Sequence, residues 1–301
     1  MKDLVIIGSG PAGLSAAVYA KRAKLDVAVI EKAPFSGGQI INTEQVDNYL
    51  GMYRTSGFEM ATAFRAHADA LEVEFLNKEV VGIEGNQTFA VKLSNGDVIE
   101  TKTVLIATGA KYKNLGIDSE SKFKGAGVSY CATCDGAFFR KKTVVVVGGG
   151  NVAFGDAHYL SKICEKVYLV HRRDVYRASK HLIDLVKSHE NVEILPFYEV
   201  KEIIGDGMVE QVRLIQNQTK EEKIVDASGI FVAIGMEPVS EFVNGIVDTD
   251  NRGYIIATEN GVTSTPGIFV AGDVRTKEVR QIVTAVSDGA NAVASVQEYL
   301  Q

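Results

Sequence analysis

The residues best suited to chemistry lie near the middle of the chain, in Ser129-Tyr130-Cys131-Ala132-Thr133-Cys134-Asp135-Gly136. Two cysteines separated by two residues can close a reversible disulfide. Once reduced, one thiolate can attack a partner's disulfide and the other can resolve the mixed disulfide that results. Reduction consumes protons, and Asp135, directly after the second cysteine, is placed to give or take one; its other reading is a turn or cap acid. A zinc half-site competes for any Cys-x-x-Cys pair, but structural zinc takes four ligands. Cys164 stands alone, and His67, His158, His171, His181 and His189 show no ligand spacing with cysteine, so no metal is expected. Cys164, on a helical pattern ahead of a strand, reads as an inert core thiol.

A disulfide that cycles needs an electron source, and glycine-rich turns flank the pair on both sides. The first follows the apolar run Leu4–Ile7: Gly8-Ser9-Gly10-Pro11-Ala12-Gly13, then the alanine-rich helical pattern Leu14–Ala20, then the run Val27–Ile30 ending in Glu31. In this layout the first glycine makes the tight turn, the second admits backbone to a pyrophosphate and the third lets helix and strand approach. Glu31 stands about 20 residues on, where an acid can bind ribose hydroxyls. Further turns gather around the same site. They are Gly37-Gly38-Gln39, Asn48, the end of a buried run at Ala107-Thr108-Gly109, and Gly272-Asp273 followed by Arg280-Gln281-Ile282. An acid at a strand end can bind a polyol, and a helix starting beside it can present N–H groups to an electron-rich ring edge. Singly, each of these reads as an ordinary turn of an α/β domain.

The second turn follows Thr143–Val147 as Gly148-Gly149-Gly150-Asn151-Val152-Ala153, with Ala153 where a third glycine would stand. The next strand, Val167–Val170, runs into His171-Arg172-Arg173, with Arg177 close behind, instead of an acid. A guanidinium cluster there accepts a ribose 2′-phosphate, which points to NADP(H); a solvated charge run is the bland alternative.

Around these motifs the chain's 301 residues suffice for two domains, and 46% apolar with 23% charged residues is ordinary soluble composition. With 32 basic against 38 acidic residues the net charge is −6, which disfavours nucleic acid or an anionic membrane as partner. Three cysteines do not make a secreted disulfide scaffold. Met1–Gly8 reads as a strand entering a glycine turn, not a signal peptide, and no run is long enough to span a bilayer, so a cytoplasmic protein is expected. Phe58–Leu71 has helical periodicity, Val73–Leu93 and Ile194–Lys223 read as strands and turns, and Lys111–Glu120 and Met236–Ser240 read as linkers.

At Cys131-Ala132-Thr133-Cys134-Asp135-Gly136, followed by the second glycine turn and His171-Arg172-Arg173, the chain resembles the low-molecular-weight bacterial-type thioredoxin reductases. The likeness runs from Gly8 to the C-terminal helix. It implies an α/β fold of two Rossmann-like three-layer nucleotide-binding domains. An FAD domain, residues 1–112 and 241–301, is interrupted by an inserted NADPH domain, residues 113–240, that carries the cysteines. It implies a homodimeric flavoprotein oxidoreductase that moves electrons from NADPH through FAD and the Cys131/Cys134 disulfide to thioredoxin. Cys134 is then nearer the flavin, Cys131 attacks thioredoxin, and Asp135 is the acid. It also implies a swivel on hinges at 113–116 and 237–241. The chain departs from that family at Val152, where Ser or Thr is usual, at Gly155-Asp156, where two glutamates are usual, and at Ala137, where an aromatic often stands. Competing readings are a ferredoxin-fed relative, a reductase of another thioredoxin-fold partner, a diaphorase, and a flavin-bound redox sensor without turnover.

Overall fold

A strand apolar on both faces must be covered on both, and Leu4-Val5-Ile6-Ile7 is at most 5% exposed. In the computed structural model, which describes residues 1–43 and 46–301, this run forms β1 (Lys2–Ile7). The chain passes through α1 (Pro11–Arg22) into parallel β2 (Val27–Glu31). Pro11 opens α1 at the position where a missing N–H leaves no bond unmade. α2 (Gly57–Ala70) starts at a capping box: Ser56 Oγ accepts the Glu59 N–H at 3.1 Å and the Glu59 carboxylate accepts the Ser56 N–H at 2.9 Å. β3 (Glu74–Asn77) pairs in parallel with β2, and β4 (Val80–Gly85), β5 (Phe89–Leu93) and β6 (Val98–Ile106) form a meander whose last strand returns parallel to β1. β7 (Ala110–Tyr112) then carries the chain onward.

The middle of the chain builds a second sheet. α3 (Asp118–Lys122), β8 (Val128–Ser129) and α4 (Ala132–Asp135) precede β9 (Thr143–Val147), α5 (Asn151–Ser161), β10 (Lys166–His171), α6 (Lys180–Lys187) and β11 (Val192–Pro196). Next come the antiparallel strands β12 (Tyr198–Ile204), β13 (Gln211–Gln216) and β14 (Glu222–Asp226), then β15 (Gly229–Val232). The parallel order is β11-β10-β9-β15-β8. β16 (Met236–Pro238) pairs with β7. β17 (Ile268–Val270) rejoins the first sheet beside β6, and α7 (Ile282–Tyr299) ends the fold.

The chain thus divides into two units, Met1–Lys111 with Glu237–Gln301, and Tyr112–Met236. Each has a core on either face of its main sheet, the first unit adding a small third cluster of Ile40, Val46, Met60 and Ala61, and strand alternation sorts residues between the two faces. In the first unit Leu4 and Ile6 join α1 and α7 residues while Val5 and Ile7 join the meander. In the second, Val144 and Val146 face α5 while Val145 and Val147 face the β12–β14 sheet. The two segments read from sequence as linkers contain paired strands, β7 and β16. Neighbouring stretches with unpaired backbone groups bond to each other instead of remaining open. Among the described residues no helix is long and apolar enough to cross a membrane.

Candidate functional site

In the first unit the sequence-expected residues gather at the carboxyl ends of parallel strands: Gly8 after β1, Glu31 ending β2, Ala107 after β6 and Gly272 after β17. This is where open α/β sheets bind ligands, at the point where strand order reverses. Gly8 has φ +103°, and a Cβ there would stand 2.5 Å from the Ala107 carbonyl oxygen; one at Gly13 would overlap the Gly8 carbonyl. Gly10 differs, since a Cβ on it would meet nothing within 4 Å, so this point of the loop is open for a ligand. Glu31 holds the loop: Oε2 accepts the Ser9 N–H and the Ser9 hydroxyl, both at 2.8 Å, and Oε1 accepts the Ala33 N–H at 2.9 Å. The Gly37 N–H donates to the Ser9 carbonyl at 2.8 Å, and a Cβ on Gly38 would stand 3.4 Å from Gly10 Cα, so the second glycine turn closes over the first. Pro11 and Ala12 open α1 behind it.

The remaining expected residues border the same strand ends. Gln39 donates through Nε2 to the Ala110 carbonyl. Thr108 Oγ1 donates to the Val239 carbonyl at 2.5 Å, and the Gly109 carbonyl accepts the Val239 N–H at 3.0 Å. Asn48 Nδ2 donates to Gln281 Oε1 at 3.0 Å, and Gln281 caps α7, whose first residue is Ile282. Asp273 Oδ1 is buried with no hydrogen-bond partner among the described residues. Burial pushes its carboxyl up; Lys277 and Arg280 pull it back. Arg280 is turned to the backbone, where its guanidinium donates to the carbonyls of Lys277, Arg275 and Asp273 at 3.1, 3.2 and 3.4 Å.

In the second unit the glycine turn follows β9, again beside a reversal of strand order. Gly148 has φ +151°, and a Cβ on it would stand 2.4 Å from the Ala233 carbonyl oxygen and 2.7 Å from Ala153 Cβ, so packing leaves no room for a side chain at this first position of the turn. Gly150 faces open space. Asn151 Oδ1 accepts the Ser179 N–H at 2.8 Å, and the Arg177 N–H donates to the Gly149 carbonyl at 2.7 Å, joining the turn to the segment after β10. Val152 stands 63% exposed at the start of α5. The His171 ring lies against Gly149; burial above all, with Arg172, Arg177 and Arg173 around it, pushes its pKa below the ordinary value. Those arginines are exposed and have no carboxylate partner among the described residues.

Cys131 and Cys134 form a disulfide. The Cys134 and Asp135 N–H groups donate to the Cys131 carbonyl at 3.2 and 3.1 Å, closing the turn. Ser129, which spacing did not single out, fixes the acid: its hydroxyl donates to Asp135 Oδ2 at 2.6 Å and accepts the Cys131 N–H at 3.2 Å. The segment then runs along α5. A Cβ on Gly136 would stand 2.8 Å from the Tyr159 ring, and the Phe139 carbonyl accepts the Cys164 thiol at 3.2 Å. Burial pushes that thiol up to about 11, which leaves Cys164 inert.

Comparison with known proteins finds relatives over nearly the whole chain. The pyridine nucleotide-disulphide oxidoreductase family matches residues 2–289. A thioredoxin reductase of Bacillus subtilis is 41% identical over 300 residues, 99% of this chain and 95% of that protein. One from Listeria innocua is 39% identical over 300 residues, 99% of this chain and 94% of its own. The crystal structure of thioredoxin reductase from Streptococcus pyogenes matches with a TM-score of 0.92 at 43% identity, over 100% of this chain and 98% of that one.

Proposed function

We propose, for a chain that belongs to the thioredoxin reductases of the pyridine nucleotide-disulphide oxidoreductase family, that it reduces oxidised thioredoxin with NADPH as donor, by way of FAD and the Cys131–Cys134 disulfide. The observation carrying this reading is that disulfide, closed beside a hydroxyl-clamped acid in a unit with its own nucleotide turn.

The residues present suit both cofactors. Gly10 leaves room for a pyrophosphate at the start of α1, Glu31 and Ser9 brace the loop, and Asp273 offers a buried carboxylate oxygen to a hydroxyl donor. Asn48, Gln281 and Ile282 present the start of α7. Bound FAD supplies two-electron transfer between a nicotinamide and sulfur. Gly150 and Asn151 open the second turn, and Arg172, Arg173 and Arg177 supply unpaired guanidinium groups for a 2′-phosphate.

Opening the Cys131–Cys134 bond takes two electrons and two protons. Asp135, oriented by Ser129, is placed to give or take a proton next to the pair. The Cys131 thiolate then attacks a sulfur of the thioredoxin disulfide and expels the other as a thiolate, and Cys134 attacks the Cys131 sulfur of the mixed disulfide, expelling the remaining thioredoxin thiolate and re-forming the Cys131–Cys134 bond. The same resemblance supports a cytoplasmic homodimer.

Anaerobic titration of the full-length flavoprotein tests the reading. NADPH is expected to bleach the flavin at concentrations where NADH does not, and oxidised thioredoxin to restore the colour. Cys131→Ser should still bleach but fail to reduce thioredoxin. Bleaching by reduced ferredoxin and not by NADPH would replace the donor; restoration of colour in Cys131→Ser would remove the disulfide from the path.

A further inference from the structure

The Gly272-Asp273 turn is held by buried charges that the nucleotide fingerprint does not contain. Asp288 lies on α7 next to Gly289, and a Cβ on Gly289 would overlap the Ala12 carbonyl oxygen of α1. The backbone at Asp288 is therefore seated on the helix that opens at the first glycine turn. The side chains of Asp288, Arg275 and Lys277 are each 6% exposed. Asp288 Oδ2 accepts the Gly272 N–H at 3.0 Å, Arg275 Nε–H at 2.8 Å and the Lys277 ammonium at 2.9 Å, while Oδ1 accepts from Arg275 Nη2 at 2.7 Å. From the other side Arg280 gathers three carbonyls of the same turn and lies 4.2 Å over the Tyr254 ring. Gly272, at φ +80°, has no room for a side chain, since a Cβ would stand 2.9 Å from Ala12 Cβ. Between the two clamps sits the unpartnered Asp273 Oδ1.

Burying three charges costs solvation that apolar residues of equal volume would not lose, so stability does not account for the cluster. Geometry does. We propose that Asp288 is a positioning residue of the flavin site: through the Gly272 N–H and its two cations it fixes the turn that aims the Asp273 carboxylate at a polyol hydroxyl of FAD. This rests on the first unit being the FAD site. Asp288 joins the halves of that site, because its backbone is seated on the glycine-turn helix and its carboxylate holds the strand-end acid.

Flavin release from the full-length holoprotein, read as the rise of free-flavin fluorescence after dilution, tests this. Asp288→Asn is expected to release FAD about tenfold faster or more, the size of one lost charge-assisted hydrogen bond. Asp273→Asn should do the same, and the double variant should be no faster than Asp273→Asn alone, because Asp288 acts through Asp273. Additive effects, or release from Asp288→Asn at the wild-type rate, overturn the proposal. Should Asp288→Asn fail to fold with two cations unpaired, Lys277→Gln enters the same cycle, with release faster by roughly threefold and equally absent in the Asp273→Asn background; no change there overturns the proposal. A wild type that binds no FAD overturns the functional reading and this one with it, whereas FAD bound normally by both wild type and variant overturns only this one.

Discussion

Asp156 has no hydrogen-bond or ion-pair partner among the described residues, and burial alone pushes its carboxyl up to about 7. It lies on the α5 face that packs under the redox segment, one turn before Tyr159 and Leu160. Between about pH 4 and pH 7 the folded protein keeps a proton here that the unfolded chain has released, so stability falls as pH rises through that window. Asp156→Asn removes the effect. By pH 8 the variant should be more stable than wild type by on the order of 2 kcal/mol, with no gain at pH 4. Urea unfolding followed by circular dichroism at both pH values checks this, and an equal gain at both would show that ionisation is not the cause. The burial that raises such a carboxyl leaves no trace in a sequence. The cysteine pair, the glycines and His171-Arg172-Arg173 are legible because local spacing alone defines them. Ser129 matters through a carboxylate six positions away, and Asp288 through a turn held from α7. Asp156 marks itself in the sequence only as a departure from the family's usual residue; its raised carboxyl follows from burial that shows only once α5 has been packed.

Helices α5 and α7 show how differently one added methyl acts at two places. On α7, Gly289 meets the backbone of α1, which cannot retreat without dragging the glycine turn; Gly289→Ala should cost about 3 kcal/mol. On α5, Gly155 faces nothing within 4 Å and lies inside a regular helix, so Gly155→Ala should stabilise by up to about 1 kcal/mol. Thermal melts of the two variants against wild type decide both, and opposite signs are the expected outcome. The elements themselves were legible to unequal depth. β1-α1-β2 and β9-α5-β10 declare themselves because each glycine turn marks a strand end and a helix start together. β12 to β14 read only as strands and turns, because antiparallel partners are chosen by packing that no local pattern records. The β7–β16 ribbon was hidden for the same reason: its strands are short, and their partner lies more than a hundred residues away.

Over the whole molecule, the unit Tyr112–Met236 begins and ends at one place: the Lys113 N–H donates to the Gly235 carbonyl at 3.0 Å. It has a complete parallel sheet and a core on each face, both built from its own residues. A segment with joined ends and its own cores meets the requirements for folding alone. Residues 112–236 are therefore expected to unfold cooperatively as an isolated fragment. The fragment should also bind NADPH at least about tenfold more tightly than NADH, because Arg172, Arg173 and Arg177 come with it and can form charge-assisted bonds to a 2′-phosphate. Its Cys131–Cys134 disulfide should stay closed in NADPH, as thiol titration of the fragment would report, because a nicotinamide delivers a hydride and the fragment carries no flavin site to pass the electrons to sulfur. Reduction of the fragment by NADPH alone would mean that the disulfide takes electrons directly. A fragment that does not fold would instead show that the sheet requires the strands on either side of the two crossings. A folded fragment that binds NADPH but keeps its disulfide closed would place the flavin-bearing unit between the nucleotide and the sulfur.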